Sequence, residues 1–401
     1  MRLRTWLGRF QRLGTRLARR ARGIERRVVR LEPPGEPVGQ ALLSYIVDPF
    51  LAGAEDRLPL SHTHFWESWR MGRTLVELGF TVDAIHWTNT AFLPTRSYDL
   101  VVDVRLNLER LAPLLPSGAV KVMHIETSHP AVHNPAQRRR LDALAARRGV
   151  RLAPFKMLEE NRAIEHADAA TILGNEVTQA GYRFAGRPLH PVPISQPLVW
   201  PFPDGKPFAE CRRRFVWFGS GGMVHKGLDL VLEVFAGLPE LELAVVGPVD
   251  RERAFARAFA RELERTPNIT THGWMEIADP AFRRLADRSL ALVYPSCAEG
   301  QNGGAVTCMH AGLIPVLSRE CGLDLADDRG VLLRDSSLDE IRSRVLELAS
   351  RPPEQLAAMA RRAWEWVRVH HTRERFATAW REAIVAIVRE RRPDLPLRPS
   401  A

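Results

Sequence analysis

Between residues 41 and 318 short apolar runs alternate with amphipathic stretches, and the alternation happens twice. In the first series "ALLSYIVDPFL", "FTVDAIHW", "YDLVVDV", "AVKVMHIE" and "AATILGN" read as strands. Between them, "HFWESWRMGRTLVELG" reads as a helix stopping at Gly79, followed later by a basic helical stretch over 135–148 and a helix over 158–166. Strand–helix alternation predicts a mostly parallel, doubly wound sheet. Residues 190–207, "HPVPISQPLVWPFPDGKP", then carry six prolines, which no helix accepts, so an interdomain hinge is expected there. A second series follows, with strands at "RRFVWFGS", "LELAVVG", "NITTHGW", "SLALVYPS" and "IPVLS". The expected fold class is α/β, two Rossmann-like doubly wound domains facing across a cleft. Ligands of such sheets sit at the C-terminal strand ends, so the cleft is the expected site. The last helices, from Pro353 to about Arg391, are long enough to cross back onto the first half. The expected boundaries are an arm and linker over 1–37, a first domain over 38–198 and a hinge over 199–208. A second domain over 209–365, a crossover helix over 366–392 and a tail over 393–401 complete the chain.

The net charge of +10 is concentrated at one end. Residues 1–30 hold eleven Arg and one Glu, which leaves 46 basic and 46 acidic side chains, and no net charge, for the rest. In that arm Leu3, Leu7, Phe10, Leu17, Ala21, Ile24 and Val28 recur at helical spacing, with Trp6 and Leu13 beside them. An Arg-rich amphipathic helix fits an anionic membrane surface. A disordered basic arm, a start-site artefact and nucleic-acid binding are the competing readings. The balanced charge of the two halves argues against a nucleic-acid partner. "EPPGEP", residues 32–37, breaks the helix. The four cysteines show no paired metal-ligand spacing and no disulfide framework, which fits a reducing cytosol. No apolar run approaches the ~20 residues that span a bilayer. The expected location is cytoplasmic, peripheral at the inner face of the cell membrane.

Residues 297–312, "CAEGQNGGAVTCMHAG", follow the strand "SLALVYPS" and place one acid before a glycine turn and a helix. A turn leading into a helix N-terminus binds anions, because free backbone N–H groups point outward there. A carboxylate at that mouth repels an anion, so Glu299 is expected to grip something neutral attached to it, and sugar hydroxyls serve.

With these residues in view, the second half resembles the family 4 retaining glycosyltransferases of the GT-B fold, which use nucleotide sugars. "FGSGGMVHKGLDLVLEVF" supplies Gly219, Lys226 and Gly227 in the register of the family's Gly–Arg and Lys–Gly pairs. "YPSCAEGQNGGAVTCMHAG" matches in Pro295, Ser296, Glu299, Gly300, Met309, Ala311 and Gly312, and "VVGP" and "ITTHGW" fall where the family has its middle strands. Two positions depart: Ser220 stands for the family Arg, and Thr307 for its second Glu. The likeness covers roughly residues 212–390 well and the first half only by pattern.

The resemblance implies a donor site of Gly219, Ser220, Lys226, Gly273, Glu299, Gly300, Gln301, Asn302, Gly303, Gly304 and Thr307. Lys226 and the turn N–H groups take the diphosphate, Glu299 the transferred sugar, and Gln301, Asn302 and His225 share the load of the missing groups. The donor, a UDP- or GDP-linked sugar, is a substrate, and no permanently bound cofactor or metal is implied. The acceptor is expected to be a glycan or lipid-linked sugar in surface polysaccharide biosynthesis. In the first half "HIETSHPAVHN" concentrates His124, Glu126, His129 and His133, a conceivable metal cluster, although the family needs none. His129 is expected as an acceptor-side catalytic group, with a structural role as the alternative, and Asp103, Arg105 and Glu126 are expected to line the acceptor cleft. His62 and His64 fall near the first strand–helix loop. The competing reading is a catalytically inactive GT-B scaffold or glycan-binding protein, favoured by Ser220 and Thr307 and opposed by Glu299, Lys226 and the glycine turn.

Overall fold

The computed structural model describes Gly23, residues 26–326 and residues 328–399. The first half is a seven-stranded sheet of β1 (Val28–Leu31), β2 (Gly39–Tyr45), β3 (Phe80–His86), β4 (Leu100–Asp103), β5 (Val120–Ile125), β6 (Ala169–Ile172) and β7 (Leu189–Pro191). Their order is β1-β3-β2-β4-β5-β6-β7, parallel except for β1 against β3. The second half is a six-stranded parallel sheet of β8 (Arg214–Phe218), β9 (Glu242–Val246), β10 (Ile269–Gly273), β11 (Ala291–Tyr294), β12 (Ile314–Ser318) and β13 (Val331–Leu333). Here the order is β10-β9-β8-β11-β12-β13. Continuous apolar runs form these strands because helices cover both faces, so Ala41, Leu42 and Leu43, on successive sides of β2, are all buried. Each sheet reverses its winding once, between β2 and β4 and between β8 and β11. A crevice opens at such a reversal, beyond the C-terminal strand ends. The two crevices face each other, and residues after β2, β4, β8 and β11 line one cleft.

Three local readings change. Val28, counted in the helical stripe of the arm, begins β1, where Val28 and Val29 sit opposite Ile85 and Ala84. Two β-branched residues beside an open sheet edge favour a strand over a helix. The rest of the expected stripe, Leu3 to Ile24, lies outside the described residues. The basic helix starts at Pro130 rather than near 135 and runs Pro130–Arg148, with Pro135 inside it. Proline at its first position costs no hydrogen bond, since that N–H has no helical acceptor. The helix expected over 158–166 shortens to Ala163–His166, and residues 149–162 form a loop reaching toward the second half.

The proline-rich connector is docked on the second half. Buried Lys206 donates from Nζ to the carbonyls of Ala286 (3.0 Å) and Gly312 (2.9 Å), and the Trp364 indole donates to Trp200 O at 3.0 Å. The C-terminal crossover consists of two helices. Pro353–His370 packs on helix Gly303–His310 of the second half, and Arg373–Arg391 packs on helix Thr63–Glu77 of the first, burying Phe376 and Trp380. The break at His371 and Thr372 carries the chain across. Among the described residues no helix is long and apolar enough to cross a membrane.

Candidate active site

The cleft between the halves has a volume of about 590 Å³. On its second-half wall, Lys226 Nζ lies 2.9 Å from Glu299 Oε1, and both side chains are nearly buried. Gly227, at φ +71°, ends the turn carrying Lys226, and a Cβ there would meet Pro295 O at 2.5 Å. Ser296 Oγ donates to the same Glu299 oxygen at 3.1 Å. Burial pushes the Glu299 carboxyl up, but Lys226, Lys156 and His225 outweigh it and hold it far below the usual carboxylate range. Burial likewise works against the Lys226 ammonium, and Glu299 restores it above its ordinary value. The ammonium also sits 5.3 Å from the centre of the Tyr294 ring. Lys226 and Ser296 both bond Oε1, and the carboxylate lines the cleft.

The turn after Glu299 is shaped by the other half. A Cβ on Gly300 would come within 2.3 Å of Glu126 O, so only glycine lets the halves approach this closely. Ser128 Oγ donates to Glu299 O at 2.6 Å, and Thr178 Oγ1 reaches the same carbonyl at 3.2 Å. Gln301 and Asn302 line the cleft with their amides committed: Gln301 Oε1 accepts from Ile194 N at 2.6 Å, and Asn302 Oδ1 caps the helix through Ala305 N at 2.7 Å. That cap leaves the N–H groups of Gly303 and Gly304, the first of helix Gly303–His310, without a helical acceptor on the cleft wall. Unpaired N–H groups at a helix start are the geometry that the anion-binding expectation requires.

Of the two departures from the family pattern, Ser220 is exposed on the cleft wall beside Gly219. Thr307 faces the cleft, but its hydroxyl is engaged with Gly303 O (2.9 Å) and Gln196 Oε1 (3.1 Å). Gly273 turns the chain at φ +71° and stands just off the cleft, while the following Trp274, Met275, Glu276 and Ile277 form its wall. His225 is a positioning group: Nε2 bonds to Ala298 O at 2.6 Å, and the ring stacks on His133 at 4.6 Å across the domain seam.

The first-half wall centres on buried Glu126. His64 Nδ1 lies 2.9 Å from Oε2, the Tyr45 hydroxyl donates to that oxygen at 3.0 Å, and Arg105 pairs with Oε1. Burial raises this carboxyl, yet Arg105 and His64 hold it well below the carboxylate range. His64 is desolvated as well, and Glu126 lifts its pKa above the ordinary histidine value. Arg105 and Glu126 thus stand where expected, and His64 joins them on the cleft.

Two expected residues belong elsewhere. His129 caps helix Pro130–Arg148, accepting from Ala131 N at 3.2 Å, and packs edge-on against Tyr182 and Phe184 in a side cavity of about 160 Å³ that Arg105 and Glu126 also line. Asp103 is buried and accepts from Asn107 N (3.0 Å) and Leu108 N (2.8 Å), starting helix Asn107–Leu111 away from the cleft. Caps draw on the same residue types as active sites, so composition at a strand end does not separate the two uses. Among the described residues no three His, Cys, Asp or Glu side chains are grouped to hold a metal.

Lys156 was not singled out by sequence reasoning, and it lines the cleft beside Lys226. A signal existed. Only four of the 57 basic side chains are lysines, and two of those four face this cavity.

Comparison with known proteins bears on this geometry. Residues 212–351 match the family model described as Glycosyl transferases group 1. The second half is thus similar to the group 1 glycosyltransferases over that stretch. Glu299, Lys226 and the glycine turn all fall inside the matched stretch. The solved structures similar to the chain include Anabaena HepE in complex with UDP and glucose, at 13% identity and TM-score 0.52, covering 87% of this chain and 100% of that one. Sucrose-phosphate synthase from Thermosynechococcus elongatus is similar at 14% identity and TM-score 0.54, covering 88% and 100%. S. aureus TarM, in complex with fondaparinux, alpha-GlcNAc-glycerol and UDP, is similar at 14% identity and TM-score 0.50. The match covers 70% of this chain but spans only 54% of the TarM chain. These likenesses establish the fold, which is GT-B. The comparison with curated protein sequences returns no match.

Proposed function

We propose that the protein transfers a sugar, with retention of configuration, from a nucleotide-sugar donor to a glycan or lipid-linked acceptor in surface polysaccharide synthesis. The observation that carries this reading is the buried Lys226–Glu299 pair beside the free N–H groups of Gly303 and Gly304, inside the stretch similar to the group 1 glycosyltransferases. A buried ion pair is a poor route to stability, because desolvating two charges offsets their attraction. A charged pair next to an anion-binding turn is explained by a ligand with an anionic and a hydroxylated end. Lys226 and the turn receive the diphosphate, and stabilise the charge that grows as it leaves. Glu299 accepts hydroxyls of the sugar. The acceptor hydroxyl enters from the first-half wall and attacks the anomeric carbon on the face where the bond to the diphosphate oxygen breaks, passing its proton to that departing oxygen, which retains configuration. No protein nucleophile is required. HepE was solved with UDP and glucose, and TarM with UDP and a GlcNAc-glycerol, which supports a donor of the same chemical class here.

Thermal unfolding against UDP- and GDP-linked sugars tests the reading. A donor at about 100 times its Kd stabilises the native state by about 2.7 kcal/mol, enough to raise the midpoint by a few degrees. At least one member of the panel is expected to do so while the free sugar does not. A panel with no stabilising member contradicts the proposal.

A further inference from the structure

Lys156 reaches the cleft from the first half, on the loop over residues 149–162. Its position is built. His133 Nε2 bonds to Lys156 O at 2.7 Å. Gln137, with its amide turned to pair, donates to the same carbonyl at 2.8 Å and accepts from the N–H groups of Phe155 (3.0 Å) and Lys156 (3.1 Å). Across the seam, Gly221 admits the loop and Gly222 lies in contact with it. A Cβ on Gly221 would come within 2.7 Å of the Phe155 ring, and one on Gly222 would lie 3.6 Å from Lys156 Cδ.

The Lys and Arg side chains lining the cleft are Lys226, Arg105 and Lys156, its carboxylates Glu299, Glu126 and Glu276, and the first two cations sit in ion pairs. Glu299 neutralises Lys226, and Glu126 neutralises Arg105. Among the described residues Lys156 has no carboxylate within ion-pairing distance. Glu252, the remaining acid near it, is occupied by the N–H groups of Gly222 and Met223. The proximity of Lys226, together with burial, lowers the Lys156 pKa to about 8, so two ammonium groups share the single Glu299 carboxylate on this side of the cleft. Such an arrangement is unfavourable until an anion enters.

We propose that Lys156 is a second cation for the donor's diphosphate, supplied by the first half, so that the leaving group is gripped from both sides of the cleft. The proposal rests on the nucleotide-sugar reading and adds a residue and a direction to it. Lys156 takes the charge-neutralising role that exposed Ser220 leaves open on the opposite wall. Because its partner Lys226 lies in the other half, a diphosphate in the cleft is contacted by a cation from each wall.

Calorimetric titration of the full chain with UDP, GDP and inorganic pyrophosphate tests this, with uridine and guanosine as uncharged controls. Lys156→Met keeps the length of the side chain and removes its charge. It is expected to weaken binding of the nucleoside diphosphates and of pyrophosphate by about tenfold or more (about 1.4 kcal/mol) with nucleoside binding unchanged. Lys156→Arg, which keeps the charge, is expected to stay within about threefold of wild type for the same ligands. Wild-type affinity in Lys156→Met, with Lys226→Ala impaired, overturns the proposal and leaves the donor reading standing. An equal loss in Lys156→Met and Lys156→Arg overturns the charge-based role. If the wild-type chain binds none of the three phosphate ligands, the donor reading fails and the proposal with it.

Discussion

Lys226→Ala is expected to lower sugar transfer by about a hundredfold or more, about 2.7 kcal/mol in the barrier. Two losses add in the same direction. The cation facing the departing diphosphate disappears, and Glu299 is left buried without the group that keeps it ionised. Burial is then opposed by Lys156 and His225 without the largest of the three opposing charges, so the carboxyl's pKa rises toward the protonated form, a poorer acceptor for sugar hydroxyls. The uncompensated acid also destabilises the fold by about 3 kcal/mol or more, since the pair is almost fully buried. Initial rates below the unfolding midpoint, with thermal melts of both proteins, separate the effects. A variant that melts earlier but keeps more than a tenth of the wild-type turnover contradicts the assignment of Lys226.

Acidification is expected to destabilise the protein well above the pH at which ordinary carboxylates titrate. His124, His310 and His371 are buried, and burial lowers their pKa to about 3, about 4 and about 3. In the unfolded chain each titrates near 6.5, so the unfolded state binds more protons throughout the interval between the two values. The contribution is fully present above about pH 6.5 and is lost as pH falls toward 4, by up to about 1.4 kcal/mol per pH unit for each histidine. His225 is shifted the same way by burial and sits on the domain seam. Asp229 opposes them: burial raises its pKa to about 6, so it gains relative stability as pH falls. Burial raises the Glu67, Asp103 and Glu252 carboxyls as well, but nine imidazoles are shifted down against these four carboxyls, and the imidazoles prevail. Melts at constant ionic strength between pH 7.5 and 4.5 are expected to show a steady fall in the midpoint, and a flat or rising midpoint contradicts this account. His310 and His371 join helix Gly303–His310 to the connector and the crossover, so acid loosens the support of the glycine turn first.

The fold was legible because parallel sheets demand long buried runs, and the alternation of those runs with amphipathic stretches survives in any window of the sequence. The places where reading failed are those where one residue type has two uses. Val28 extends a helical stripe and also favours a strand, and the open edge beside β3 settles it. His129 and Asp103 carry acceptor atoms that a cap needs as much as a catalytic site does. Glu299, Lys226 and the glycine turn were found because they sit close in sequence to strand ends. His64 and Lys156 act through contacts with residues far along the chain, with Glu126 and across the seam to Lys226, and such contacts leave no spacing to read. The scarcity of lysine was the remaining trace, visible once the composition is divided between Arg and Lys.

The central claim is that Glu299 serves the sugar and its neighbours serve the phosphates, and Glu299→Gln tests it most directly. The substitution preserves shape and removes the charge, leaving Lys226 and the N–H groups of Gly303 and Gly304 in place. Titration with the free nucleoside diphosphate, set beside turnover of the matching nucleotide sugar, separates the two ends of the donor. The account predicts undiminished diphosphate affinity with transfer reduced by about tenfold or more, about 1.4 kcal/mol. Wild-type transfer by Glu299→Gln, or a loss of diphosphate affinity as large as the loss of transfer, contradicts it.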